Sequence, residues 1–225
     1  MSIQNIVLVH GFWADASCYG AVLAGLLAEG YNVIAVQNPL SSLADDVAAT
    51  QRALNRLEGR SILVGHSWGG TVITAAGNSD RVAALVYLAA LAPDIDESMV
   101  DLMSRHGAPS PHFQPQDDVV WITQTGVQEI LASDLSAEQV ALIHATQNPP
   151  STALPETKLT EVPAWKQKPS WYVIATEDRA VPLALQQELA DRMGASVRSV
   201  AASHFLLVSQ AQTVIDVIKA AAEVA

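Results

Sequence analysis

The sequence predicts an α/β fold: one mostly parallel sheet of about six strands, helices on both of its faces, and a helical lid inserted at residues 93–168. Three observations carry this reading. Strand-like and helix-like segments alternate from Ile6 to Leu88 and again after residue 169, and repeated βα alternation builds parallel sheets. The strand segments are unbroken apolar runs, which suit strands covered on both faces. The rhythm breaks only once, at Pro93, and then resumes. The core is therefore residues 1–92 and 169–225, and 93–168 is an insertion rather than a second domain.

The elements follow in order. Ile6-Val7-Leu8-Val9 is the first strand and ends at His10-Gly11-Phe12-Trp13. Residues 16–29 carry Val22, Leu23, Leu26 and Leu27 at helical spacing, and Gly30 caps that helix. Tyr31 to Val36 is the second strand, closed by Asn38-Pro39. Ser42 is an N-cap, with Asp45 and Asp46 in the first turn of a helix that runs to about Leu57. Ile62-Leu63-Val64 is the third strand, a helix starts near Thr71, and Val82 to Leu88 is the fourth strand. Residues 93–168 then hold eight of the 11 prolines (Pro93, Pro109, Pro111, Pro115, Pro149, Pro150, Pro155, Pro163). They also hold short amphipathic pieces, Val127 to Leu131 and Ser136 to Ile143, and no strand is expected among them. The sheet resumes at Trp171 to Ala175. Leu183 to Met193 is a helix, Val197 to Val200 the last strand, and Ser209 to Ala222 the closing helix.

Composition excludes several roles. Half of the 225 residues are hydrophobic and 16% are charged, so the chain can bury a self-sufficient core. The net charge is −11, with no Lys/Arg cluster, so neither nucleic acid nor an anionic membrane is expected as a partner. The lone Cys18 can form no internal disulfide, reads as a buried apolar filler, and belongs to no zinc-ligand spacing. Without a basic leader or an 18-residue apolar run, a cytoplasmic location is expected.

The chemistry centres on Gly65-His66-Ser67-Trp68-Gly69, a G-x-S-x-G turn between a buried strand and a helix. Such a turn is too tight for side chains two residues either side of the serine, hence the glycines. It holds Ser67 in a strained conformation with its hydroxyl clear of the sheet, and the N–H of Trp68 faces any oxyanion formed above it. The bland alternative is a glycine-rich turn with an idle serine. A serine needs a base, and six histidines are available. His204 follows the last strand, at the carboxyl edge where functional groups gather in parallel sheets. His10 is expected to brace its loop, His66 to bond locally, and His106, His112 and His144 to lie on the lid surface. Asp178, after the strand ending at Ala175, is the candidate orienting carboxylate. Glu177 is its nearest rival, and a loop-turn or helix-capping role for Asp178 stays open. The N–H of Phe12, beyond Gly11, is the candidate second oxyanion donor. Trp13, Trp121 and Phe205 are candidate pocket residues for hydrophobic or aromatic substrates.

These pieces together resemble a known family. Val9-His10-Gly11, Gly65 to Gly70, Ala90-Leu91-Ala92-Pro93-Asp94, Glu177-Asp178-x-x-Val181-Pro182 and Ser203-His204-Phe205 are similar, in order, to motifs of small α/β-hydrolases. The branch contains plant methylesterases, hydroxynitrile lyases and bacterial esterases. The resemblance implies Ser67 as nucleophile, Asp178 as acid, His204 as base, and a lid over the acyl or alcohol pocket. It also implies six strands, because the family's opening β-hairpin has no counterpart before Ile6. Hydroxynitrile lyases of this family carry a threonine and a lysine where this chain has Phe12 and Phe205, which argues against cyanide chemistry. The expected function is a serine carboxylesterase acting on small hydrophobic or aromatic esters, with no cofactor and no metal. A homodimer is an allowed assembly. The alternatives are a cofactor-free perhydrolase or haloperoxidase, a hydroxynitrile lyase-like enzyme, and a non-catalytic ligand receptor on the same fold.

Overall fold

Among the described residues the chain forms eight strands, and those of the central sheet come mostly from runs of β-branched and aliphatic residues. They are β1 (Asn5–Val9), β2 (Asn32–Val36), β3 (Ser61–His66), β4 (Val82–Leu88), β5 (Phe113–Gln116), β6 (Val119–Ile122), β7 (Ser170–Ala175) and β8 (Ser196–Val200). The computed structural model describes residues 3–104 and 111–224, so the expectations for His106 and Pro109 lie outside the described residues. Six strands make one parallel sheet in the order β2-β1-β3-β4-β7-β8. The chain leaves β1 toward β2 and then returns to β3 on its other side. That reversal opens a crevice at the carboxyl ends of β1 and β3.

Period-two alternation divides each strand between two cores. Val7, Val9, Leu63, Leu85, Tyr87, Tyr172 and Ile174 face one side. There they meet α2 (Leu43–Asn55), α3 (Trp68–Ala76) and α7 (Leu183–Met193). Ile6, Leu8, Ile62, Val64, Val86 and Val173 face the other, against α1 (Gly20–Ala28) and α9 (Ala211–Val224). The α9 helix is preceded by a separate turn, α8 (Leu206–Ser209), so the closing helix is split. Burying each Val, Leu or Ile side chain stabilises the fold by about 1.5–3 kcal/mol, and both faces contribute. The predicted caps form: the Ser42 side chain accepts from the Asp45 N–H, and Gly30 takes φ 85° beyond α1.

The described residues of the segment 93–168 pack over the carboxyl edge of the sheet. It contains α4 (Met99–Met103), the single turn α5 (Gln124–Gly126), a wide π turn over Val127–Leu131, and α6 (Ala137–Thr146). Contrary to expectation it also contains strands: β5 and β6 pair antiparallel across Asp117 and Asp118. Each is only four residues long, and Pro115 sits inside β5, tolerated because β5 is an edge strand that pairs with β6 alone.

The parallel sheet leaves no room at Gly69. A Cβ there would lie 2.2 Å from the Val9 carbonyl oxygen, whereas one at Gly20 would meet nothing within 4 Å. Gly69→Ala should therefore lower stability by about 1–3 kcal/mol or more, read as an earlier urea midpoint. Gly20→Ala should leave that midpoint unchanged or raise it.

Candidate active site

Ser67 occupies the turn between β3 and α3 with φ 55° and ψ −123°. A non-glycine residue at positive φ is strained by about 1–3 kcal/mol, and the surrounding backbone must hold it there. Here the Ser67 N–H donates to the Leu88 carbonyl at 3.2 Å, and its own carbonyl accepts from the N–H groups of Gly70 and Leu91 at 3.0 and 3.1 Å. The glycines permit the closure. A Cβ at Gly65 would strike the Gly69 carbonyl at 2.5 Å, and one at Gly11 would lie 2.6 Å from the Ser67 Cβ. The end of β1 thus presses directly on the serine.

Asp178 follows β7, and His204 follows β8. Their side chains meet: His204 Nδ1 lies 2.8 Å from Asp178 Oδ2, with both side chains almost fully buried. An ionised carboxylate only accepts, so Nδ1 carries the proton and Nε2 keeps a free lone pair. The remaining acceptor sites of Asp178 are filled. Its Oδ1 takes the N–H groups of Ala180 and Val181 at 2.7 and 2.9 Å, and Oδ2 takes Gln186 Nε2 at 3.0 Å. This explains the choice between neighbouring acids: Glu177 is exposed, while Asp178 turns inward onto the ring.

The histidine loop is pinned from several sides. His66 Nε2–H donates to the His204 carbonyl at 2.9 Å, and the two rings lie 4.6 Å apart. Burial, then the neighbouring His204 ring, keeps His66 well below the usual histidine range, so it stays neutral. The insertion holds both flanking residues. The Phe205 N–H donates to the Leu131 carbonyl at 3.0 Å, Asp134 accepts from the Ser203 N–H at 3.2 Å, and the Ser203 hydroxyl shares its one proton between Asp134 and the Leu131 carbonyl. His10 braces the opposite wall. Its Nε2 accepts from the Asn38 N–H at 2.9 Å, so its Nδ1–H donates to the Gly11 carbonyl, and burial lowers its pKa.

Ser67 and His204 line one cavity of about 570 Å³. Phe12, Trp13 and Trp68 line it too, and its far walls are mostly apolar, with Leu91, Met99, Met103, Phe113, Val120 and Ile130 among them and Arg179 the charged residue of the lining. Trp13 closes one side, stacked on Phe113 at 5.0 Å with its indole N–H on the Val120 carbonyl at 2.7 Å. The N–H of Trp68 belongs to the first turn of α3, where no intrahelical acceptor exists. Two expected pocket residues stand elsewhere. Trp121 neighbours Val120 on β6, and successive strand side chains face opposite ways, so Val120 lines the cavity and Trp121 points away, 37% exposed. Phe205 is buried edge-on against His66 and lines a separate small cleft beside Cys18. The Cys18 thiol is pushed far up by burial and stays protonated.

Sequence reasoning missed two buried polar residues. Gln186, on the inner face of α7, accepts from the Ala175 N–H and donates to Asp178, tying the acid to the end of β7. Its only signal was a polar residue beside Leu185 and Leu189. The second is Asp46, for which the sequence shows only a place in the first turn of α2. It is fully buried, with Oδ1 on the Leu40 N–H and Oδ2 on the Trp68 indole N–H, both at 2.9 Å. Burial raises its carboxyl to about 6.

With the geometry in place, the comparisons are decisive about class. The chain belongs to the alpha/beta hydrolase family, whose model matches residues 6–217. It is 29% identical over 222 residues to a pyrethroid hydrolase of Sphingobium wenxiniae, covering 84% of this chain and 76% of that one. A carbendazim-hydrolysing esterase of a Nocardioides species is 32% identical over 119 residues, 46% of this chain and 48% of that protein. Among solved structures, the pyrethroid hydrolase of Sphingobium faniae JZ-2 superposes with a TM-score of 0.84 at 25% identity, covering 98% of both chains. Polyneuridine aldehyde esterase shares the fold, with a TM-score of 0.82 at 17% identity over 96% of this chain and 97% of the other.

Two outcomes are expected. Asp178→Asn, which can no longer hold the Nδ1–H tautomer without turning a donor toward it, should lower kcat/KM by about 10³–10⁴ while the fold persists. For Asp46, the native carboxyl at about 6 binds its proton more tightly than the unfolded one at 3.8. Stability therefore falls as pH rises through that window and levels above it. The advantage of the native chain over the non-titrating Asp46→Asn variant should shrink by roughly 2–3 kcal/mol from below pH 4 to above pH 6, read by urea denaturation across pH.

Proposed function

We propose that the protein is a serine carboxylesterase for apolar carboxylic esters. The observation that carries this reading is the buried Asp178–His204 pair: it leaves Nε2 as a base in the cavity that also holds the strained Ser67. The names of the relatives, a pyrethroid hydrolase and a carbendazim-hydrolysing esterase, support ester hydrolysis on this fold.

Ser67 Oγ attacks the ester carbonyl carbon as His204 Nε2 takes its proton. The N–H groups of Phe12 and Trp68 receive the oxyanion, each such donor contributing about 10²–10³ in rate. The imidazolium, stabilised by Asp178, then protonates the departing alcohol oxygen as the C–O bond breaks. Water repeats the sequence on the acyl-enzyme: His204 takes a proton, the acid is released, and Ser67 regains its hydrogen.

A cavity of about 570 Å³ lined by Met99, Met103, Phe113 and Ile130 has room for a substantial apolar group and offers it few polar partners. Methionines adapt to irregular shapes, which favours tolerance of varied bulky esters over selection of one. Selectivity should therefore rise with apolar bulk and fall for charged acyl groups.

The test is Ser67→Ala assayed with p-nitrophenyl butyrate. Turnover should drop to the uncatalysed rate with an unchanged circular dichroism spectrum. Activity retained by that variant would remove Ser67 from the chemistry.

A further inference from the structure

We propose that Asp46 is a positioning residue for the oxyanion site: its carboxylate holds the indole of Trp68, and through it the loop of Phe12, in the arrangement that the reaction needs. The inference rests on the esterase reading above and adds a residue to it.

Asp46 lies outside the cavity and touches no reacting atom. It stands in the first turn of α2, with its backbone N–H on the Ser42 carbonyl at 3.1 Å and its own carbonyl accepting from the Thr50 hydroxyl at 3.1 Å. The helix therefore fixes its position, and its side chain reaches two places. One oxygen takes the N–H of Leu40, a residue held at φ 56° whose carbonyl accepts from Ser151 of the insertion at 2.8 Å. The other takes the Trp68 indole, which is completely buried.

Trp68 is both the residue after the nucleophile and the first residue of α3. Its ring stacks on Phe12 at 4.9 Å, with the planes only 24° apart. The two candidate oxyanion donors, which follow different strands, are thus joined through their rings, and one ring is anchored by a charged acceptor. A charge-assisted bond to a buried indole is directional and stiff. An ionised carboxyl here costs the fold stability at neutral pH. An apolar residue would pack without that cost, but could not orient the indole or hold Leu40.

Orientation of the donors matters in the transition state more than in the ground state, so its loss should appear in kcat and not in KM. Asp46→Asn keeps the shape but turns an amide N–H toward one of the two donors. It should lower kcat for p-nitrophenyl butyrate about tenfold, per mole of protein with native circular dichroism, with KM within twofold. Trp68→Phe keeps a ring beside Phe12 and removes the indole N–H, and should do the same. The double variant should lose no more than the worse single one, because both remove one bond. Multiplicative losses, an unchanged kcat in either single variant, or a rise in KM alone would overturn the proposal. If Asp46→Asn does not fold, Trp68→Phe decides from the other end of the bond. Should Ser67→Ala retain turnover, the esterase reading fails. If it abolishes turnover while these variants keep kcat, only the role of Asp46 fails.

Discussion

Everything at the site depends on one strained backbone position. Ser67 is held at positive φ because the end of β4, the loop that follows it and the start of α3 satisfy its N–H and carbonyl at that geometry. The closure is possible only where side chains are absent, and the clash distances at Gly65, Gly69 and Gly11 express how little space the turn has. The strain is offset by the two-sided core: strands packed on both faces move little, so they can carry a local cost that a thinner structure would relieve by shifting.

From that fixed point the remaining groups are placed by the sheet's order and by buried hydrogen bonds. Asp178 accepts from four donors on three elements, which makes it a rigid anchor for His204. The insertion contributes directly to this arrangement. Leu131 and Asp134 hold the residues on either side of His204, Asn148 accepts from the Trp13 N–H, and Ser151 donates to Leu40. The described part of the insertion therefore walls the cavity and also braces His204 and the first loop.

Much of this was legible in the sequence because it is written in local patterns. Unbroken runs such as Val82 to Leu88 and the span Leu183 to Met193 form with the expected bounds, since buried parallel strands and a bounded amphipathic helix each leave a simple period. The G-x-S-x-G turn was legible because steric crowding demands glycine at fixed offsets. What failed to show depends on strand pairing or on partners that the fold brings together. The β5–β6 hairpin is short and contains a proline, so its pairing is visible only in three dimensions. Trp121 suggested a pocket wall, yet strand alternation gives that place to Val120. Gln186 and Asp46 look like ordinary helix polars until Asp178 and Trp68 arrive beside them.

The central claim is that Ser67 is activated by His204 across a shared apolar cavity. Mass-spectrometric mapping of the protein after reaction with a fluorophosphonate tests it most directly. A single adduct is expected on the peptide containing Ser67, formed rapidly in the native chain and lost in His204→Ala. An adduct on another serine, or labelling of Ser67 at an equal rate without His204, would contradict it.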